Sequence, residues 1–215
     1  MKVEQFRCNE FVENCYVAFD EETLEAVIID PGMKYKQEWD SFRSFISDNN
    51  LNVKHILLTH YHLDHILGTG LCAKEYNLDL SGNLEDQLGL PTPEMQGQLF
   101  GLEFSNSIPG IRINLKEGDS ISCGKYKIEV IDCPGHSHHG LCFYIPDAKV
   151  LFSGDVLFFC SIGRSDFGRS MGGDGQKLIN GIVSKLLTLP ADVIVYPGHG
   201  PQTSIGKETA YNPYI

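Results

Sequence analysis

Four potential metal ligands fall within six residues, His60-Tyr-His62-Leu-Asp64-His65, directly after the apolar run Ile56-Leu57-Leu58. No single regular element gathers them. In a strand, side chains alternate between faces, so His60 and His62 would share a side while His65 pointed away. On a helix, His62 would stand off the face shared by His60 and Asp64. The spacing therefore asks for a sharp turn where a buried strand ends and a helix begins. Such a turn presents His60 with His62 as one set and Asp64 with His65 as another. Imidazoles and a carboxylate packed this densely at the mouth of an apolar strand read as a metal site rather than as a histidine-rich loop.

The same kind of ending recurs along the chain. Ile128-Glu-Val-Ile131 leads to Pro134-Gly-His136, Val150-Leu-Phe152 to Ser153-Gly-Asp155, and Val193-Ile-Val-Tyr196 to Pro197-Gly-His199. Each of these endings passes through a glycine, which lets the backbone turn tightly. Sites in α/β folds form where the carboxyl ends of strands converge, so one pocket can collect all seven donors. They divide into three histidines for one ion and Asp, His, His for a second, with a carboxylate left to bridge. Two divalent ions about 3.5–4 Å apart polarise a substrate, generate hydroxide near neutral pH and stabilise a leaving atom. Imidazole and carboxylate suit Zn2+, two per chain, and iron or manganese tolerate the same donors.

The 215 residues, 42% hydrophobic, suffice for a sizeable core and most simply form one domain. Strands are expected at Cys15–Phe19, Ala26–Ile29, 53–59, Tyr126–Ile131, Leu141–Ile145, Lys149–Phe152 and Asp192–Tyr196, with residues 2–30 holding three in all. Helices are expected over Lys36–Asn49, Asp64–Tyr76 and Gly175–Leu189. Prolines and glycines break up 79–115, which reads as a surface excursion over the site, either a lid or a solvated loop with a short helix. A formal charge of −11 disfavours nucleic acid and membrane surfaces as partners. No apolar stretch reaches the roughly 18 residues of a membrane span, and the start of the chain lacks the apolar segment of a secretion signal. Seven scattered cysteines without a Cys-x-x-Cys suit reduced, buried thiols in a cytoplasmic protein. Among the remaining histidines, His55 reads as structural, while His138 and His139 read either as supports for the site or as helix-start residues.

His60-x-His62-x-Asp64-His65, followed in order by His136, Asp155 and His199, resembles the metallo-β-lactamase superfamily over nearly the whole chain. The resemblance implies a four-layer αββα sandwich with the metals at one edge of the two sheets. It implies that His60, His62 and His136 bind the first metal, that Asp64, His65 and His199 bind the second, and that Asp155 bridges. Within the superfamily the match is finer to glyoxalase II-like hydrolases, in Asp155 itself, Ile29-Asp-Pro-Gly32, Ser153-Gly-Asp155 and Ser161-Ile-Gly-Arg164-Ser-Asp166. The chain ends soon after His199, whereas classical glyoxalase II carries a further helical domain that grips glutathione. Ser161–Asp166 followed by Gly172-Gly-Asp174, and the stretch from Gly198 through Glu208 to Asn212-Pro-Tyr-Ile215, resemble the small single-domain members.

That likeness implies hydrolysis of a small acyl thioester of the S-lactoylglutathione type by a metal-bridging hydroxide oriented by Asp64 and Asp155. Arg164 is the candidate substrate contact, with a loop-bracing pair to Asp166 as the other reading. The rival activity is a persulfide dioxygenase with one iron on His60, His136 and Asp155, and hydrolysis of another ester or lactone is a further alternative.

Overall fold

A computed structural model describes residues 1–215. The apolar runs Cys15–Phe19, Ala26–Ile29, Leu141–Ile145 and Val150–Phe152 are buried because their strands are covered on both faces, and the alternation of side chains shows which face meets what. In β2 (Glu13–Phe19) and β3 (Glu25–Ile29), Cys15, Val17, Ala26 and Ile28 point to one cluster, while Tyr16, Ala18, Val27 and Ile29 point to another. The first cluster lies between a sheet and the helices α1 (Lys36–Asp48), α2 (Leu63–Ile66) and α3 (Thr69–Tyr76), through Phe42, Ile46, Ile66 and Cys72. The second lies between two sheets, where Ile29 and Leu57 meet Phe143 and Phe152. A third packs the outer face of the second sheet, Cys142, Tyr144 and Leu151, against Leu178, Ile182 and Ile205. Three apolar seams separate four layers, helix, sheet, sheet, helix.

The first sheet adds β1 (Lys2–Cys8), β4 (Asn52–Leu57), β5 (Leu80–Gly82) and β6 (Ile113–Asn114), in the order β1-β2-β3-β4-β5-β6. From β3 onward its pairings are parallel. The second sheet contains β7 (Ser120–Cys123), β8 (Tyr126–Asp132), β9 (Leu141–Ile145), β10 (Val150–Gly154), β13 (Ile194–Pro197) and β14 (Thr203–Ser204), in the order β14-β13-β10-β9-β8-β7. A separate hairpin joins β11 (Leu157–Phe158) to β12 (Ser161–Ile162). Because β9 is antiparallel to both β8 and β10, and β10 is parallel to β13, the strands β8, β10 and β13 run the same way. Their carboxyl ends share one edge. Leu141 N–H donates to Thr59 O at 2.6 Å and brings the end of β4 to that edge.

Three expected elements differ. The helix over 64–76 is two pieces, because Gly68 N–H donates to Pro31 O at 2.7 Å and Thr69 Oγ1 takes the carbonyl of Ile66 at 2.6 Å. A Cβ at Gly68 would lie 2.9 Å from Pro31 O, so the chain bends where the β3 loop crosses it. The helix from Gly175 closes as α6 (Gly175–Gly181) followed by a π-turn over Ile182–Leu186. Residues 79–115 supply β5, α4 (Leu84–Gly89), α5 (Pro93–Phe100) and β6, so much of the excursion is sheet edge and brace. A terminal helix, α7 (Ile205–Tyr211), follows β14. No helix is long and apolar enough to cross a membrane.

Candidate metal centre

The backbone leaving β4 is irregular through His62, and its polar groups are satisfied from the 79–115 segment. Tyr61 N–H donates to Asp86 Oδ2 at 2.9 Å and Leu63 N–H to Gln96 Oε1 at 2.9 Å, while Gln96 Nε2 returns to Tyr61 O at 3.2 Å. Asp86 and Gln96 are fully buried, so they hold the ligand turn as a rigid loop. Asp86 Oδ1 also accepts from His139 N–H at 2.8 Å.

All seven predicted donors meet at the shared sheet edge. The ligating atoms of His60, His62 and His136 lie within 4.8 Å of one another, and so do those of Asp64, His65 and His199. Asp155 stands between the two groups: Oδ1 is 3.4 Å from His65 Nε2, and Oδ2 is 3.4 Å from His136 Nε2 and 3.6 Å from His199 Nε2. Asp64 Oδ2 is 3.2 Å from His199 Nε2 and 3.7 Å from His65 Nε2.

The outer nitrogens decide which lone pairs face inward. His65 Nδ1–H donates to Asp30 Oδ2 at 3.0 Å, His136 Nδ1–H to Arg164 O at 2.7 Å, and His199 Nδ1–H to Phe11 O at 3.1 Å. Thr59 gives its own proton to Asp30 Oδ2 at 2.5 Å, so its oxygen is free to accept from His60 Nδ1–H at 3.0 Å. These four rings present Nε2 to the centre. His62 is reversed: its Nε2–H donates to Met171 O at 3.3 Å, leaving Nδ1 2.9 Å from His136 Nε2. Two imidazole lone pairs at that distance repel unless a cation or a proton lies between them. The buried Nε2 atoms of His60 and His65 and Oδ1 of Asp155 have no hydrogen-bond partner in the protein. Orphaned, inward-facing donor atoms with fixed outer nitrogens fit a pair of metal ions.

Asp30 also lies within reach of His60 and His65. Its oxygens already accept from Thr59 N at 2.7 Å, from the Thr59 hydroxyl and from His65 Nδ1, on the far side of the rings. It orients ligands and is not one itself.

Electrostatics follow burial and neighbours. Burial, reinforced by the surrounding imidazoles, holds His60 well below its ordinary range, and burial beside His136 pushes His62 down to about 3. Both are neutral and ready to coordinate. Burial would depress His65, but Asp64 and Asp155 outweigh it and raise its pKa well above the ordinary value; His199 is raised by the same carboxylates. Burial would raise Asp64 and Asp155, yet the charges of His65 and His199 hold both low.

Reading the sequence missed several supports. Asn14 N–H donates to Gly198 O at 2.8 Å, Asn14 Nδ2 donates to Pro197 O and Gly200 O at 2.9 Å each, and Tyr16 Oη–H donates to Pro197 O at 2.6 Å. Together they clamp the His199 loop onto β2. Glu13, beside them, is fully buried with Oε1 3.9 Å from His65 Nδ1, and burial together with Cys8 raises its pKa far up. Asp30 did carry a signal, a fifth apolar strand ending in a potential ligand, and β3 is the parallel neighbour of β4.

Above the donors lies a cavity of about 340 Å3, with His62, Asp64, His136, Asp155 and His199 on its floor. Arg164 lines it too, and its guanidinium forks onto Asp166 at 2.9 and 3.0 Å. Arg164 thus braces its loop through Asp166 while lining the cavity, and its main-chain oxygen orients His136 as well. His55 is half-buried in β4, away from the donors, and His139 faces Asp132 and Glu85 at 3.5 and 3.7 Å. Cys133 packs against Gly181 in the core, and six of the seven cysteines are buried.

The family model described as the metallo-beta-lactamase superfamily matches residues 8–199. The chain is 35% identical over 216 residues to the hydroxyacylglutathione hydrolase GloC of Haemophilus influenzae, spanning all of this chain and 98% of that protein. Among solved structures, it is similar to the BLEG-1 B3 metallo-beta-lactamase, with a TM-score of 0.87, 32% identity and 99% of each chain covered. It is also similar to TTHA1623 in a di-iron-bound form, with a TM-score of 0.83, 30% identity, and 99% of this chain and all of that one covered.

Proposed function

Since the chain belongs to the metallo-beta-lactamase superfamily of metal-binding hydrolases, we propose that it is a dinuclear thioester hydrolase built as one domain over 1–215. His60, His62 and His136 would hold one ion and Asp64, His65 and His199 the other, with Asp155 between them. Bound there, such ions polarise a carbonyl and make a hydrolytic nucleophile available at neutral pH. Zinc and iron both accept this donor set, and the solved relative TTHA1623 holds two irons.

The protein's own groups prepare the reaction. Asp64 and Asp155, held ionised among the imidazoles, accept hydrogen bonds from the attacking water and orient it. His60 and His62 remain neutral, so they contribute lone pairs without competing for the water's proton. The cavity above them offers the acyl group a lining in which Phe11, Leu63, Phe100, Phe158, Phe167 and Met171 are apolar.

The observation that carries the thioester assignment is the absence of a general acid. Apart from the donors themselves, the only polar side chain lining the cavity is Arg164, which stays charged and is paired with Asp166. With no separate proton donor in the lining, a leaving group that departs as an anion is favoured. A thiolate does so readily, since thiols ionise near 8.5, whereas an amine must be protonated as it leaves. The name of the GloC relative points to the same chemistry, with a glutathione thioester as its small-molecule substrate.

The test is free-thiol release from S-lactoylglutathione and from a simple acyl thioester by protein loaded with zinc or with iron, its metal content measured first. His60→Ala should lower release by more than about a hundredfold. Metal-loaded protein that releases no thiol above that variant, yet consumes oxygen with a persulfide, would overturn the hydrolase reading in favour of a mononuclear-iron dioxygenase.

A further inference from the structure

Four phenylalanines from separate parts of the chain converge on the cavity: Phe11 from the β1–β2 connection, Phe100 at the end of α5, Phe158 in β11, and Phe167. Phe11, Phe100 and Phe167 form a continuous path, and Phe158 stands beside His199. Phe11 meets Phe100 edge-on at 6.0 Å between ring centroids, and Phe100 meets Phe167 at 6.5 Å. Phe167 in turn lies 5.7 Å from the His136 ring and 5.9 Å from His62, and Phe158 lies 6.2 Å from His199. The wall thus runs unbroken from solvent, where Phe11 and Phe100 are 39% and 44% exposed, down to the donor rings. Leu63 and Met171 fill the gaps between.

No serine, threonine, asparagine, glutamine, tyrosine or lysine lines this cavity. Its one permanent cation, Arg164, already shares its fork with Asp166, and its guanidinium carbon sits over the Phe167 ring, 4.4 Å from the centroid. A hydroxyacyl group placed here would bury its hydroxyl with no partner on the phenylalanine wall, and the carboxylates of a peptide thiol would meet a single arginine, which Asp166 already pairs. A hydrocarbon acyl group leaves nothing unpaired and covers the two rim rings that water now touches.

We infer that the preferred substrates are thioesters with an apolar acyl group of medium length, aliphatic or aromatic, whose chain lies along Phe167, Phe100 and Phe11. This rests on the thioester reading above. The cavity's 340 Å3 lies at the low end of the ~300–1,000 Å3 that small-molecule sites span. Acyl groups that outrun this space project past the exposed rim rings Phe11 and Phe100 and gain little.

The experiment has two arms on the same metal-loaded protein. The first measures kcat/KM for acetyl, butanoyl, hexanoyl, phenylacetyl and lactoyl thioesters of one thiol, N-acetylcysteamine. The expected gain is about fourfold per buried methylene, or about two-hundredfold from acetyl to hexanoyl, with lactoyl below butanoyl. Phe100→Ala and Phe11→Ala, each checked for folding by circular dichroism, should flatten that slope. The second arm measures binding of acetate, butanoate and hexanoate by calorimetry, where each acid brings the same carboxylate and affinity should climb with length. A rising series in both arms supports the inference. Rising affinity without turnover of any thioester leaves the apolar preference standing and removes the reaction reading. Turnover that favours lactoyl, or is flat with length, together with equal acid affinities, overturns the inference and leaves the thioesterase intact. No turnover and no length dependence overturn both.

Discussion

Replacing Asp30 by Asn exchanges one carboxylate oxygen for an NH2 group on a residue outside the cavity lining, yet it tests how the donor rings are held. The Asp30 carboxylate accepts three hydrogen bonds: Thr59 N–H on Oδ1 at 2.7 Å, and the Thr59 hydroxyl at 2.5 Å and His65 Nδ1–H at 3.0 Å on Oδ2. An amide offers one oxygen and one NH2. If its oxygen keeps Thr59 N–H, the NH2 faces His65 Nδ1–H, donor against donor. His65 must then move its proton to Nε2, the atom that faces Asp155 and Asp64. If the amide is turned round, a buried backbone N–H loses its acceptor instead. Either way one charge-assisted bond is lost, worth about 1.5–3 kcal/mol. If that loss falls on the metal-bound state, it is about ten- to a hundredfold in affinity at about 1.4 kcal/mol per decade, the range in which removal of an outer partner of a metal-bound histidine usually falls.

The loss should be unequal. His65 touches Asp30 directly, whereas His60 reaches it only through the Thr59 hydroxyl. Competition against a chelating dye should therefore show the Asp64–His65–His199 ion weakened ten- to a hundredfold, and the His60–His62–His136 ion weakened less. Elemental analysis after dialysis should give close to one ion per chain. A D30N protein that is folded and binds two ions with wild-type affinity would refute the assignment of Asp30 as the residue that sets the His65 tautomer.

Other perturbations probe other parts of the centre. Gly198→Ala would bring a methyl into the van der Waals sphere of Asp155 Oδ1 and 2.7 Å from His65 Cε1, so metal content should collapse while circular dichroism stays native; retention of two ions counts against the bridging position of Asp155. In metal-free protein, the raised His65 pKa contributes stability that is fully present below about 6.5 and is lost as pH rises through the raised value. The lowered Asp64 and Asp155 contribute stability that is present above about 3.9 and lost only as pH falls through their depressed values. The metal-free Tm should accordingly rise with pH up to about 6.5, as the unfolded chain stops protonating His60 and His62, and fall above that toward the raised His65 value, while metal affinity rises because the ion displaces the His65 proton; a Tm that does not fall on the alkaline side would show that His65 is not protonated between the two carboxylates. Asn14→Ala removes two side-chain bonds to the His199 loop and should lower Tm and release one ion in preference to the other, read by calorimetry and elemental analysis. Arg164→Ala breaks an exposed pair worth about 0–1 kcal/mol and removes an exposed guanidinium from over Phe167, while the main-chain acceptor for His136 survives, so Tm and metal content should stay near wild type.

What could be read from the sequence was whatever a strand announces at its own end. His60, His136, Asp155 and His199 each follow an apolar run, and the burial of those runs on both faces is what stacks the layers and brings the ends to one edge. The features that escaped depend on two distant segments meeting. The break at Gly68 comes from the Pro31 carbonyl crossing the helix, which no local pattern between 64 and 76 records. Asn14 and Tyr16 sit in a strand that reads as core, and only the proximity of Pro197 turns them into a clamp. Asp30 ended an apolar strand in plain view, but its role needed the parallel pairing of β3 with β4. The phenylalanines at 11, 100, 158 and 167 share no spacing at all, and they become one surface only in the folded chain. The donors and the wall are therefore separable inheritances. A chain can keep all seven donors, and with them the hydrolytic centre, while loops that share no motif change what the cavity accepts. That is why the donor pattern points to the reaction, and the rings above it to the substrate.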